Sequence, residues 1–275
     1  MQPLQAIILG AIQGLTEFLP VSSSGHLVIF QHLFGLQEPE LFFDISVHLG
    51  TLIAVILVFW KEIRAIIISM IRFFILFFKK EVTLTYIYKD LDLKLAFLIV
   101  IGSIPTAILG LLLYTIKDQI FSSVFLTGMM LLLTGLLLLI TYWIKKDGKT
   151  MERFSIKDAL IIGLMQGIAI IPGISRSGST IAVGLFLGLN RETAARYSFL
   201  LSLPAILGAE ILCLKDLSVN TLLPIKVTLL GTITSLIVGY CALKALLYVV
   251  KQGRIYIFTP YCWLLGIIAL IFIKS

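Results

Sequence analysis

Charged side chains are scarce in this sequence. Asp, Glu, Lys and Arg make up 13% of its 275 residues, against about 25% in a soluble globular domain. With 59% hydrophobic residues and a mean hydropathy of +1.06, that scarcity excludes an ordinary soluble domain and indicates a polytopic membrane protein. Cysteine is equally sparse. Cys213, Cys241 and Cys262 stand singly within or at the ends of apolar segments, a spacing that excludes a thiolate metal site and reads as packing. The first apolar segment has no basic n-region and no small-residue cleavage site before Glu17 and Pro20, so it is expected to belong to the mature fold. The net charge of +7 is no footprint of nucleic acid, because most Lys and Arg fall in short loops between apolar runs.

Against this background one polar stretch stands out: Pro172-Gly173-Ile174-Ser175-Arg176-Ser177-Gly178-Ser179-Thr180. An ionised arginine in hydrocarbon costs at least ~2.5 kcal/mol, so it faces a partner, a cavity or an anion. Pro172 and Gly173 break the preceding helix. Ser175, Ser177, Ser179 and Thr180 offer hydroxyls, and Gly178 allows close backbone approach at the start of a new helix. The combination suits an oxyanion, phosphate above all. The plainer alternative is a polar packing turn in which Arg176 pairs with a structural carboxylate.

Residues 3–35 read as a second interrupted segment, a re-entrant helical hairpin. Its apolar run contains Gln13 and Glu17, and Pro20 and Ser22-Ser23-Ser24-Gly25-His26 form its tip. Full crossings are expected at 42–60, 94–114, 121–144, 194–214, 224–248 and 257–273. A basic loop at 145–157 joins the halves, and a further broken pair, 158–171 and 179–189, flanks Arg176. Residues 63–78 carry Arg64 and Arg72 between Lys61 and Lys79-Lys80, which fits an interfacial helix better than a span. The two broken segments superpose with one offset of 153 residues: Gln13-Gly14 falls on Gln166-Gly167, and Ser22 to Gly25 on Ser175 to Gly178. The fold class is therefore all-α and polytopic, an inverted repeat of halves 1–144 and 158–275, each a re-entrant hairpin plus three transmembrane helices. With both termini outside, 17 of the 22 Lys and Arg lie inside and four outside, Arg176 being in the membrane.

Gln13 and Glu17, four residues apart, share one helical face. Glu17 either neutralises Arg176 or holds a hard divalent cation, Mg²⁺ or Ca²⁺, with Gln13 and the substrate's own oxygens. His26 follows three serines and is either structural or an acid or base towards a hydroxyl or phosphate. His32 and His48, on otherwise apolar stretches, read as packing or interfacial residues. The first tip thus carries chemical groups and the second carries binding groups, a division that favours an enzyme over an inverted-repeat transporter or flippase of a phosphorylated lipid or anion.

The run from Gln13 to His26, with Pro172 to Gly178, Asn190-Arg191-Glu192 and Arg196 to Leu201, resembles the bacterial undecaprenyl-diphosphatase family, also called the bacitracin-resistance protein family. The likeness extends over essentially the whole chain. It implies a cell-membrane phosphatase converting undecaprenyl diphosphate to undecaprenyl phosphate and inorganic phosphate for peptidoglycan synthesis, its site facing outward. The partners implied are the polyprenyl diphosphate and membrane lipid, no nucleic acid, with a homodimer left open. By the same resemblance Glu17 is the acidic metal ligand, Ser23 the nucleophile, His26 the catalytic histidine and Arg176 the phosphate clamp. Ser22, Ser24, Gly25, Ser175, Ser177, Gly178, Ser179 and Thr180 are expected to line the substrate. Gln13 stands where glutamate is common in the family, which disfavours any scheme with two carboxylates on the metal.

Overall fold

The computed structural model describes residues 1–34, 36, 41–116, 119–120, 123–144, 148–213 and 225–272, and eleven named α-helices account for most of these described residues. They are α1 (Pro3–Phe18), α2 (Ser23–Leu33), α3 (Leu41–Val58), α4 (Trp60–Phe78), α5 (Leu91–Tyr114), α6 (Val124–Ile140), α7 (Ile156–Ile168), α8 (Arg176–Phe186), α9 (Arg191–Cys213), α10 (Ile225–Lys251) and α11 (Thr259–Phe272). The only β pairing among the described residues is a bridge between Lys149 and Leu189. Residues 145–147 of the expected connecting loop, and the expected span ends at 121, 214, 224 and 273, lie outside the described residues.

Among the described residues, four stretches are long and apolar enough to cross a bilayer: Leu91–Tyr114, Val124–Trp143, Arg191–Cys213 and Ile225–Lys251. They match four expected crossings. The other two differ. The crossing expected at 257–273 begins as a 3₁₀ turn, Ile255–Phe258, followed among the described residues by the 14 of α11, about 21 Å of helix at 1.5 Å per residue. The crossing expected at 42–60 ends at Val58, and α4 leaves it at 77° after the single residue Phe59. Burial explains that corner. Phe59 is 5% exposed and stacks on Phe199 of α9, the ring centroids 6.0 Å apart, while Trp60 next to it is exposed. The amphipathic run thus starts at Trp60, three residues before the expected boundary.

Two helix pairs make the closest approaches. α1 lies on α10 where Gly10 meets the backbone of Gly231, and α7 lies on α5 where Gly163 meets the backbone of Gly102. Small residues let membrane helices approach this far. The core continues through Phe18, Phe154, Tyr197, Phe199 and Leu243, all fully buried. At one end of α5 the Lys94 amine, 6% exposed, donates to the carbonyls of Met151 (3.0 Å) and Glu152 (2.7 Å). It ties the segment before α7 to α5. Lys94→Met keeps the stem but strands both carbonyls, each worth about 1–3 kcal/mol when unpaired. A clear fall in melting temperature in detergent is the expected result; an unchanged value would mean water replaces the amine.

Candidate active site

The two helix breaks meet. At the first, α1 ends at Phe18, Ser22 takes φ 66° and α2 starts at Ser23. A non-glycine residue in the left-handed region is strained by about 1–3 kcal/mol and persists where its surroundings hold it. Here they do. The Ser22 hydroxyl accepts from the Gly173 N–H (3.2 Å), the Ser177 hydroxyl donates to the Phe18 carbonyl (2.8 Å), and a Cβ on Gly178 would press on Pro20. From α6, Thr134 steadies the second tip by donating to the Gly173 carbonyl (2.9 Å) and accepting from the Ser175 N–H (3.1 Å).

Across this junction Arg176 Nη2 donates to Glu17 Oε1 at 2.5 Å. Glu17 Oε2 accepts from Ser23 Oγ (2.8 Å) and from Gln13 Nε2 (3.1 Å). Two polar atoms are left over in the buried part of this centre: Arg176 Nη1 and Gln13 Oε1 have no hydrogen-bond partner. A buried unpaired donor and acceptor beside an ion pair cost free energy and point to a bound group that would satisfy them.

The expected residues divide sharply. Gln13, Glu17, Ser23 and Arg176 are brought into one network. The hydroxyls of the second tip turn inward. Ser175 caps α8 by accepting from the Gly178 N–H (3.2 Å), and its hydroxyl lies 3.3 Å from that of Ser177. Thr180 donates to the Arg176 carbonyl (2.7 Å) and pairs with Ser198 (2.5 Å), and Ser179 reaches the same carbonyl at 3.3 Å. All four residues are at most 3% exposed, so in this structure they hold the position of Arg176. Ser22 serves the tip contact, and Gly25 has open space, its nearest neighbour to a Cβ being Thr127 Cγ2 at 4.0 Å. The side chain of Ser24 lies outside the described set.

His26 is not paired with Ser23. Its Nδ1 lies 2.8 Å from the Ser22 carbonyl and its Nε2 lies 2.6 Å from the Tyr261 hydroxyl of α11. The partner of Ser23 is Glu17. His48, read from sequence as a packing residue, instead stands at the site with Nε2 3.9 Å from Glu17 Oε2 and Nδ1 on the Asp44 carbonyl (2.8 Å). Asp44 accepts from Gln31 (2.7 Å). His48 and Tyr261 were missed because nothing local marks them. The one available signal was the i, i+4 spacing of Asp44 and His48 on a helix that is otherwise apolar.

A cation has a sparse but compatible donor set here. No group of three His, Cys, Asp or Glu side chains among the described residues is arranged to hold a metal. The Glu17 carboxylate and the unpaired Gln13 Oε1 are the two oxygens that fit one, with the remaining positions left to oxygens of a ligand.

In class this is a multi-pass helical membrane protein whose polar centre is assembled from two broken-helix tips. A family model described as "Bacitracin resistance protein BacA" matches residues 6–268. A protein named undecaprenyl-diphosphatase from Desulforapulum autotrophicum is 54% identical over 271 residues, 98% of either chain. Proteins of the same name from Desulfosudis oleivorans (53% identical, 97% of each chain) and Methanosphaera stadtmanae (45% identical, 98% of this chain and 97% of the other) also match. The chain belongs to the bacitracin resistance protein BacA family.

Proposed function

We propose that the chain is an integral membrane undecaprenyl-diphosphatase, releasing inorganic phosphate from undecaprenyl diphosphate and returning the monophosphate carrier to cell-wall synthesis. The observation that carries this reading is the junction of the tips. A guanidinium with one free buried nitrogen faces a carboxylate that accepts from a serine hydroxyl. Arg176 grips the terminal phosphate, and the prenyl tail stays among the apolar helix faces. Ser23 Oγ attacks the terminal phosphorus and passes its proton to Glu17 Oε2. As the new Oγ–P bond forms, the bridging P–O bond breaks and undecaprenyl phosphate leaves. Water then attacks the phosphoserine, giving a proton to His26 as the Oγ–P bond breaks and Ser23 recovers its own proton from Glu17; His26 then passes its proton to the departing phosphate. Arg176 stabilises the charge spread over the phosphoryl oxygens in both steps.

Glu17 and Gln13 Oε1 would hold Mg²⁺ or Ca²⁺. When bound, the ion neutralises charge on the phosphate oxygens that complete its shell. The inverted repeat belongs to the same reading, supported by the contacts of Gly10 and Gly163, which lie 153 residues apart and make equivalent approaches to helices of the opposite half. The cell membrane as location and an outward-facing site belong to this reading too, supported by the family and by the charge bias of the loops.

The test is phosphate release from undecaprenyl diphosphate by purified protein in detergent. EDTA should abolish it, and added Mg²⁺ or Ca²⁺ should restore it. Ser23→Ala and His26→Ala should each lower turnover about 10²- to 10⁴-fold. No release from well-folded wild type across several divalent cations would sink the enzymatic reading and favour a carrier of the phosphorylated lipid.

A further inference from the structure

Both nitrogens of His26 are engaged, and the two partners fix which one carries the proton. A carbonyl oxygen only accepts, so Nδ1, 2.8 Å from the Ser22 carbonyl, must bear hydrogen. In the neutral ring Nε2 is therefore the lone pair, and the Tyr261 hydroxyl at 2.6 Å donates to it. When the ring is protonated, the same hydroxyl accepts from Nε2–H. The two rings lie 5.8 Å apart between centroids and 9° from parallel, so the phenol also sets the plane of the imidazole.

Tyr261 is held where it can do this. It comes from α11, 235 residues further along the chain. On either side of it, Thr259 donates to the Gly135 carbonyl (3.1 Å) and Trp263 to the Leu132 carbonyl (3.1 Å), both on α6. The adjacent Cys262, fully buried, directs its thiol to the Pro20 carbonyl at 3.0 Å, on the first tip itself. Three contacts thus bind the start of α11 to the helix behind the site and to the turn that leads into Ser23 and His26. A residue that only packed against lipid would need no such clamp.

We infer that Tyr261 is a positioning residue of the phosphatase reaction. It fixes the tautomer and ring plane of His26, so that Nε2 is the nitrogen that exchanges a proton during turnover. The inference rests on the catalytic part given to His26 above. A tyrosine acting through His26 should matter only while His26 is present, which sets up a double-mutant cycle.

Tyr261→Phe should lower kcat about tenfold, a fraction of the whole general acid–base contribution, and leave KM unchanged. In the His26→Ala background the same substitution should have no further effect. A second variant guards against misfolding: 3,5-difluorotyrosine at position 261 keeps the ring and its contacts but makes the phenol a stronger donor to Nε2. It should lower kcat with KM unchanged. Full turnover in Tyr261→Phe, losses that multiply in the double variant, or a fluorinated protein identical to wild type would each overturn the role of Tyr261. Wild-type turnover in His26→Ala alone would be a different failure, removing the part given to His26 on which the inference stands.

Discussion

Arg176→Ala should abolish phosphate release, by about 10²- to 10³-fold for the lost charge stabilisation alone, and should destabilise the protein as well. The second effect follows from burial. Glu17 and Arg176 have side chains only 8% and 16% exposed, and breaking such a pair by removing one partner costs about 3–5 kcal/mol because the remaining charge is stranded. Lost turnover by itself therefore cannot separate a clamp from a strut. The double variant Glu17→Gln/Arg176→Ala separates them: with both charges gone, most of the lost melting temperature should return while turnover stays absent. Arg176→Lys provides the complementary control. It keeps the charge but not the second nitrogen, so it should retain more stability than activity. Wild-type turnover in a stable Arg176→Ala protein would remove the phosphate grip from the mechanism.

What could be read from sequence follows the range of each interaction. Gln13, Glu17 and Ser23 lie within eleven residues, and Arg176 aligns with Ser23 at the repeat offset. A polar cluster between apolar runs was enough to place all four on the two interrupted segments. The hydroxyls of Ser175, Ser177, Ser179 and Thr180 could not be assigned in the same way. A serine at a helix start can cap backbone or face a ligand with equal chemistry, and only the packed second tip decides for the backbone. His48 departs from its expected place, and His26 from its expected partner, for a tertiary reason. The contact of α3 with the end of α1 puts His48 next to Glu17, and α11 takes the second nitrogen of His26 away from Ser23. The sharp turn at Phe59 was hidden because a phenylalanine in an apolar run carries no signal of a corner until Phe199 is found beside it.

Gly10→Ala and Gly163→Ala should be among the most destabilising single methyl additions in the chain. In each case the new Cβ would overlap the backbone of a facing helix, Gly231 for one and Gly102 for the other, and backbone cannot swing aside as a flexible side chain can. Two effects oppose each other. Alanine is the better helix former by about 1 kcal/mol, whereas overpacking a tight contact costs about 1–3 kcal/mol and more where main chain must move. Overpacking should win. Gly208, in the interior of α9 with nothing within 4 Å of a Cβ, isolates the first effect, and Gly208→Ala should raise the melting temperature slightly. The consequence for function is directional. Gly10 precedes Glu17 on α1 by about two turns, so pushing α1 off α10 shifts the carboxylate relative to Arg176 on the other tip. Gly10→Ala should therefore lose turnover beyond its loss of stability. Melting temperatures and phosphate release measured on the three variants together decide the matter: equal stability of all three would mean that α1 and α10 part without cost, and the tips would then need another source of rigidity.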